Sequence, residues 1–244
     1  MTANQFFTAP IAAGVTLVRL AGDEHRHLAR AARVRPGEEV WLFDGMGTRY
    51  RSRVEKVGRE ETELRILGRE QVGTAGGRRV LAQALVASKK MEFILQKTAE
   101  LGFTGFRPIE TARSLKAPDG RFDRKRDRWA RIAREAAKQS KGAAAMAVYP
   151  PQDLKAFLAA ADGAEKILLS EHGGRSFGDL LVERRSSPPP SVLVCVGPEG
   201  GWTKAEDRLF GRSGFTAVSL GRRILKVDTA ALAAAAMIAQ FWGT

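Results

Sequence analysis

The sequence contains a single cysteine, Cys195, and three histidines among its 244 residues. One thiol cannot close an intrachain disulfide, and no cysteine–histidine cluster has the spacing of a zinc site, so no metal is expected. His25, His27 and His172 are too scattered for a ligand set or a triad. There is no Gly-x-Gly-x-x-Gly after an early strand, which argues against a nicotinamide site, and no Walker loop. No signal-peptide pattern and no bilayer-spanning apolar run occur, and the alanine-rich stretch Thr229–Trp242 is too short to span and reads as a packed helix. The expectation is a cytoplasmic protein with no membrane partner. No internal repeat is visible.

What is present is basic charge. The formal net charge is +13, with a hydrophobic content of 44% that is ample for real cores. Between Arg113 and Lys141 stand eleven basic residues against four acidic ones, more than half of the net excess. By contrast, Met1–Val72 nearly balances twelve basic residues with ten acidic ones. Charge concentrated in this way favours a nucleic-acid partner over a merely solvated surface.

Short β-type pieces occupy Val15–Leu20, Glu39–Phe43, Thr48–Val57 and Glu61–Leu67, punctuated by Gly37 and the Asp44-Gly45-Met46-Gly47 turn. One helix, Asp23–Ala32, interrupts them, with Asp23 as its N-cap. The pattern suits a small, mostly antiparallel barrel over residues 1–72. Gly73-Thr74-Ala75-Gly76-Gly77 reads as a linker, and 78–244 as a second domain. There, strands at Val80–Ala87, Phe106–Glu110, Lys166–Leu169, Val192–Val196 and Thr216–Leu220 alternate with helices at Lys89–Leu101 (closed by Gly102), Asp123–Ser140 and Asp153–Ala161. A helix also follows Thr203, and the last runs to Trp242; the region ending in Ser186-Ser187-Pro188-Pro189-Pro190 is read as loose. Such alternation predicts an α/β domain with a parallel sheet.

The most informative stretch is Val194-Cys195-Val196-Gly197-Pro198-Glu199-Gly200-Gly201-Trp202-Thr203. A buried strand enters a loop whose three glycines allow close backbone approach, and Thr203 with Glu206 fits a capping box that opens a helix. Strand end, bare loop and helix start together form a candidate ligand or anion site. Cys195, flanked by valines and leucine, reads as a small buried hydrophobe. A second stretch, Ser219-Leu220-Gly221-Arg222-Arg223-Ile224-Leu225-Lys226-Val227-Asp228-Thr229, leads into the last helix with Asp228 or Thr229 as N-cap.

These two motifs resemble the C-terminal signatures of the SPOUT class of S-adenosylmethionine (SAM)-dependent RNA methyltransferases. The resemblance is closer still to the RsmE family, which methylates N3 of a uridine in 16S ribosomal RNA. Two further segments carry it: Lys89-Lys90 through Gln96-Lys97-Thr98-Ala99-Glu100-Leu101-Gly102, and Glu135-Ala136-Ala137-Lys138-Gln139-Ser140. It spans most of residues 80–244 and, more weakly, 1–70. The resemblance implies a C-terminal SPOUT domain with a trefoil knot, a PUA-like RNA-binding barrel before it, a homodimer, and 16S ribosomal RNA or the small subunit as partner.

It also implies site residues. The SAM pocket is expected at Leu169, Ser170 and Glu171, at Gly197, Pro198, Glu199 and Gly200, and at Leu220, Gly221, Ile224 and Leu225. Glu199 reads either as a ligand for the cofactor amine or as a partner of a nearby arginine. Arg113 matches the Arg-Ser of a Glu-Arg-Ser motif and is the candidate for contacting uridine or phosphate, and Gln139 matches a Gln-Ser pair that could hold the base edge. Arg121, Arg124, Lys125, Arg128, Lys138 and Lys141 are the candidate phosphate grip. The chain departs from the family pattern at Ala112, where glutamate is usual, and at Lys141-Gly142, where arginine is. It departs again at Asn4-Gln5-Phe6-Phe7, which lacks an early arginine, and at His25-Arg26-His27, where two adjacent histidines are common. Two other readings share these motifs, a SPOUT ribose 2'-O-methyltransferase and a non-catalytic RNA-binding ribosome-assembly protein.

Overall fold

The computed structural model describes residues 4–72, 77–116, 122–142 and 144–243, without the side chains of 122–124. The chain divides into two compact units, Met1–Thr74 with Ala137–Ala145, and Ala75–Ala136 with Met146–Thr244. The boundary is therefore not one cut in the sequence. Residues 73–76 of the expected linker lie outside the described residues.

The first unit is built on strands β1 (Gln5–Phe7), β2 (Leu17–Ala21), β3 (Glu39–Phe43), β4 (Thr48–Val57) and β5 (Glu61–Gln71), in the order β1-β3-β4-β5-β2. All pairs are antiparallel except β1 with β3. No ladder among the described residues joins β1 to β2, so the barrel pattern is open at that seam. Alternating residues of β4, Tyr50, Ser52 and Val54, point inward and are buried, with Phe6, Leu28, Leu42 and Leu64 completing one apolar core. The expected helix starts earlier than read: α1 (Gly22–Arg26) is capped by Ala21 without a side-chain bond, which leaves Asp23 in the first turn, paired with Arg26. A wider turn follows, closed by Ala32 N–H donating to His27 O at 2.8 Å.

The second unit carries an eight-stranded sheet in which all pairings are parallel. Its strands are β6 (Arg78–Ala84), β7 (Gly105–Glu110), β8 (Ala147–Val148), β9 (Gln152–Asp153), β10 (Glu165–Leu169), β11 (Arg175–Ser176), β12 (Ser191–Val196) and β13 (Thr216–Ser219). The order is β11-β13-β10-β12-β6-β7-β8, with β9 beside β7. Central strands are buried on both faces, as a covered parallel sheet requires. Leu81, Ile167, Val194 and Val218 face one apolar core, whereas Val80, Leu168, Leu193 and Cys195 face the other.

Helices α2 (Ser88–Glu100), α3 (Phe122–Gln139), α5 (Phe177–Glu183) and α7 (Val227–Trp242) supply the first core, and α4 (Leu154–Ala159) and α6 (Lys204–Arg212) the second. Gly102 ends α2 at φ +79°, with Phe103 N–H donating back to Thr98 O at 3.1 Å. On α3, Trp129, Ala133 and Ala136 are buried along one face. Helix α5 lies inside the region read as loose: Phe177, Leu180 and Leu181 are all buried, so packing supports a helix too short for its sequence pattern to announce. Helix α7 is capped by Lys226 with no side-chain bond; Asp228 sits instead in the first turn, where a carboxylate favours the helix dipole. No helix among the described residues is long and apolar enough to cross a membrane.

Candidate active site

Strands β13, β10 and β12 are neighbours in the sheet, and their carboxyl ends open on one cleft. In open parallel sheets that crevice is where ligands bind. It encloses about 690 Å³ counted out to its mouth. Leu169, Ser170 and Glu171 form one wall, Val196, Gly197, Pro198, Gly201 and Trp202 a second, and Val218 through Leu225 a third. Val227 and Ala230 at the start of α7 close it. Nine of the eleven residues expected there line the cleft; Glu199 and Gly200 do not.

The 197–202 loop is fixed by the buried Trp202. Its indole Nε1–H donates to Leu169 O at 2.8 Å, tying the loop to the end of β10. The ring lies on Gly197, where a Cβ would come within 3.1 Å of Trp202 Cε2. Gly201 packs against the Glu171 carboxylate and adopts φ +66°, a backbone conformation that L side chains rarely take. Glycine is thus favoured at 197 by close approach and at 201 by backbone conformation, and the cleft wall is backbone.

The capping box forms as read. Thr203 Oγ accepts from Glu206 N–H at 3.2 Å, and Glu206 Oε2 accepts from Thr203 N–H at 2.8 Å. Glu206 Oε1 also accepts from Ala112 N–H at 2.7 Å, although the residue is only 5% exposed. The Thr111–Ser114 turn, closed by Thr111 N–H on Ser114 Oγ at 2.8 Å, is thereby attached to the glycine loop. Arg113 completes the attachment: its Nη1–H donates to Gly200 O at 2.7 Å, and a Cβ on Gly200 would lie 3.3 Å from the Arg113 side chain. Glu199 pairs with Lys90 of α2, and that hydrogen bond holds the Lys90 ammonium above the usual lysine range. Among the described residues its ion-pair partner is therefore a lysine rather than an arginine.

Sequence reading missed Glu206 as the link between these segments, as well as Trp202, Val218 and Val227 in the lining. The capping-box spacing announced the carboxylate but not its second partner, which lies 94 positions away.

The expected phosphate grip is smaller than its charge count. Lys138 is a correction: it is buried, its ammonium paired with Glu24 inside the first unit, and so withdrawn from solvent. Arg128 is exposed but engaged two-pronged by Glu92, with Nε–Oε1 2.6 Å and Nη2–Oε2 2.7 Å, which raises its pKa. Lys125 is half-buried, and Lys141 is exposed in a left-handed conformation (φ +57°) just past the end of α3. Arg121 lies outside the described residues, as does the Arg124 side chain. Gln139 is exposed in the last turn of α3, within the first unit, whereas Arg113 belongs to the second.

Comparison with known proteins adds the chemistry. Residues 77–239 match the family described as RNA methyltransferase domain, and residues 20–67 the RNA methyltransferase PUA domain. A Mycobacterium tuberculosis protein named ribosomal RNA small subunit methyltransferase E is 32% identical over 96% of this chain and 90% of its own. The chain belongs to the ribosomal RNA small subunit methyltransferase E family. A Bacillus subtilis member of that name is 30% identical over 90% of this chain and 88% of its own. Among solved structures, methyltransferase E of Neisseria gonorrhoeae bound to SAM is 30% identical, with a TM-score of 0.87 over 98% of both chains. A Legionella pneumophila methyltransferase in complex with SAM is 27% identical, with a TM-score of 0.86 over 98% of both. This methyltransferase E member thus resembles two SAM-bound proteins along nearly its whole length.

Proposed function

We propose that this protein transfers a methyl group from SAM to N3 of a uridine in 16S ribosomal RNA of the small subunit, in the cytoplasm and as a homodimer with a knotted SPOUT domain. The observation that carries the reading is the cleft at the ends of β10, β12 and β13, in a chain of the methyltransferase E family. Its lining fits SAM chemically. Leu169, Val196, Val218, Leu220 and Leu225 offer an apolar slot, and the side-chain-free walls at Gly197, Gly201 and Gly221 let a ligand approach the backbone closely. Glu171 stands at the edge as a carboxylate for an ammonium.

Bound there, SAM supplies an electrophilic methyl group for in-line displacement. The residues of this chain have the other half of the task. Uracil N3 is a good nucleophile only after losing its proton, and cationic or hydrogen-bonding groups beside the carbonyl oxygens ease that loss. Arg113, held against the glycine loop by Gly200 O, is assigned that position, and Gln139 the base edge through its motif. Lys125, Arg128 and Lys141, with Arg121 and Arg124, are assigned to phosphates.

The test is to incubate the purified protein with labelled SAM and small ribosomal subunits lacking the modification, and to map the labelled nucleotide by mass spectrometry. Methyl on uracil N3 is expected. Methyl on a ribose, or cofactor binding with no transfer, overturns the reading.

A further inference from the structure

The strap from Gly221 to Lys226 closes one side of the cleft and is not accounted for by the cofactor alone. Ser219 fixes its start: the Oγ accepts from Gly221 N–H at 3.2 Å and donates to Gly221 O at 3.0 Å, and Gly221 takes φ +122°. From this turn Arg222, Arg223 and Ile224 emerge exposed while lining the cleft. Ile224 is 82% exposed, the most among the exposed large hydrophobic side chains of the described residues. Neither arginine pairs with an acid among the described residues, whereas Arg113, Arg128 and Arg175 of the same unit are each engaged by a carbonyl or carboxylate. Two uncommitted guanidinium groups flanking an apolar side chain at a pocket mouth match one class of ligand: an extended polyanion with flat apolar groups. A guanidinium fork binds phosphate oxygens in two-pronged fashion, and an apolar wedge occupies space beside an unstacked base.

We propose that Arg222 and Arg223 hold the RNA phosphates flanking the acceptor uridine, with Ile224 packed beside the unstacked base. The inference rests on the methyl-transfer reading, because a base delivered to the cleft leaves its flanking phosphates at the mouth. It moves the principal grip from α3, where Arg128 and Lys138 are already engaged, to the strap. A second copy of the chain is the less suitable occupant, since a two-fold contact through this strap would set arginine against arginine.

The experiment compares wild type with the Arg222→Ala/Arg223→Ala double variant and with Ile224→Ala. Affinity for a uridine-containing single-stranded RNA oligonucleotide is measured over a series of KCl concentrations, alongside SAM affinity and sedimentation velocity. For the double variant the slope of log K against log salt should flatten by about 1.4, roughly 0.7 for each phosphate that a single strand no longer has neutralised. For Ile224→Ala, binding should weaken about fivefold at every salt concentration with the slope kept, as removal of buried apolar surface predicts. For the double variant SAM affinity should stay within about twofold; Ile224 lines the cofactor cleft, so Ile224→Ala is compared with wild type at saturating SAM. An unchanged slope in the double variant overturns the proposal. So does loss of SAM binding, which would give the arginines to the cofactor, or dissociation of a dimer with RNA affinity retained, which would make the strap an interface. If wild type places no methyl on uracil N3 and the slope still flattens, the functional reading fails and the strap assignment stands. Methyl on N3 with an unchanged slope gives the converse.

Discussion

Glu206 Oε1 accepts the Ala112 N–H at 2.7 Å, so one buried carboxylate caps α6 and also holds the turn that presents Arg113. Position 112 contributes only its backbone N–H, and the acceptor comes from 94 positions along the chain. Arg113 is therefore anchored from two sides, by this bond and by Gly200 O.

Replacing Glu206 by alanine should cost about 1–2 kcal/mol, combining a lost cap with the loss of the Ala112 N–H acceptor. Glu206→Gln, which retains one acceptor oxygen, should cost less. Thermal unfolding checks the order. RNA methylation should fall further than stability explains, because the Arg113 turn is released.

Trp202→Phe keeps an aromatic ring in place but removes part of the buried indole and with it the Nε1–H donor to Leu169 O, a bond of 2.8 Å. A stability loss of about 1–2 kcal/mol is expected. The larger effect should be on SAM affinity by calorimetry, since this bond joins two walls of the cleft. Unaltered affinity would show that the walls are held by other means.

Lys138 and Lys141 stand three residues apart in one basic motif yet should behave oppositely. Lys138→Ala strands the Glu24 carboxylate inside the first unit and should destabilise by about 2–3 kcal/mol, without changing the salt dependence of RNA binding. Lys141→Gly relieves a left-handed backbone at φ +57° and should stabilise by about 1 kcal/mol, while lowering the salt slope by about 0.7. Equal salt slopes for the two variants would refute the distinction.

Burial pushes the Cys195 thiol well above its ordinary pKa. Its folded-state pKa is raised, so the native state holds the proton more tightly than the unfolded chain. This contribution is intact below the unfolded value, about pH 8.5, and declines as pH rises beyond it. Urea midpoints should therefore fall from pH 8 to pH 10 by less in Cys195→Ala than in wild type. A thiol reagent at pH 8 should label the wild-type protein only as fast as it unfolds.

The two stretches that mattered most were legible because their chemistry is local. A β-branched run, a glycine loop and a Thr-x-x-Glu cap are each decided within about ten residues, and β12, the loop and α6 formed as expected. Strands β3 and β4 matched to the residue for the same reason, alternation bounded by turns. Helix α5 was not legible, because seven residues make a helix only when three of them find a core. The cap of α7 was misread because Asp228 and Thr229 are good caps in isolation, yet Val227 already packs as a helical residue.

By itself the sequence determined the class of each unit, the order of the longer strands and helices, and the residues of three strand ends that could line a pocket. These follow from periodicity and turn chemistry, which act over a few residues. Only the tertiary structure decided that β10, β12 and β13 lie side by side, so that segments some fifty residues apart share one cleft. It also decided which charges are available. Lys138 and Arg128 look alike to Arg222 and Arg223 in composition, but the first two meet Glu24 and Glu92 in the fold and the latter two meet no acid among the described residues. Charge pairing depends on distance in space, and separation along the chain carries no record of it.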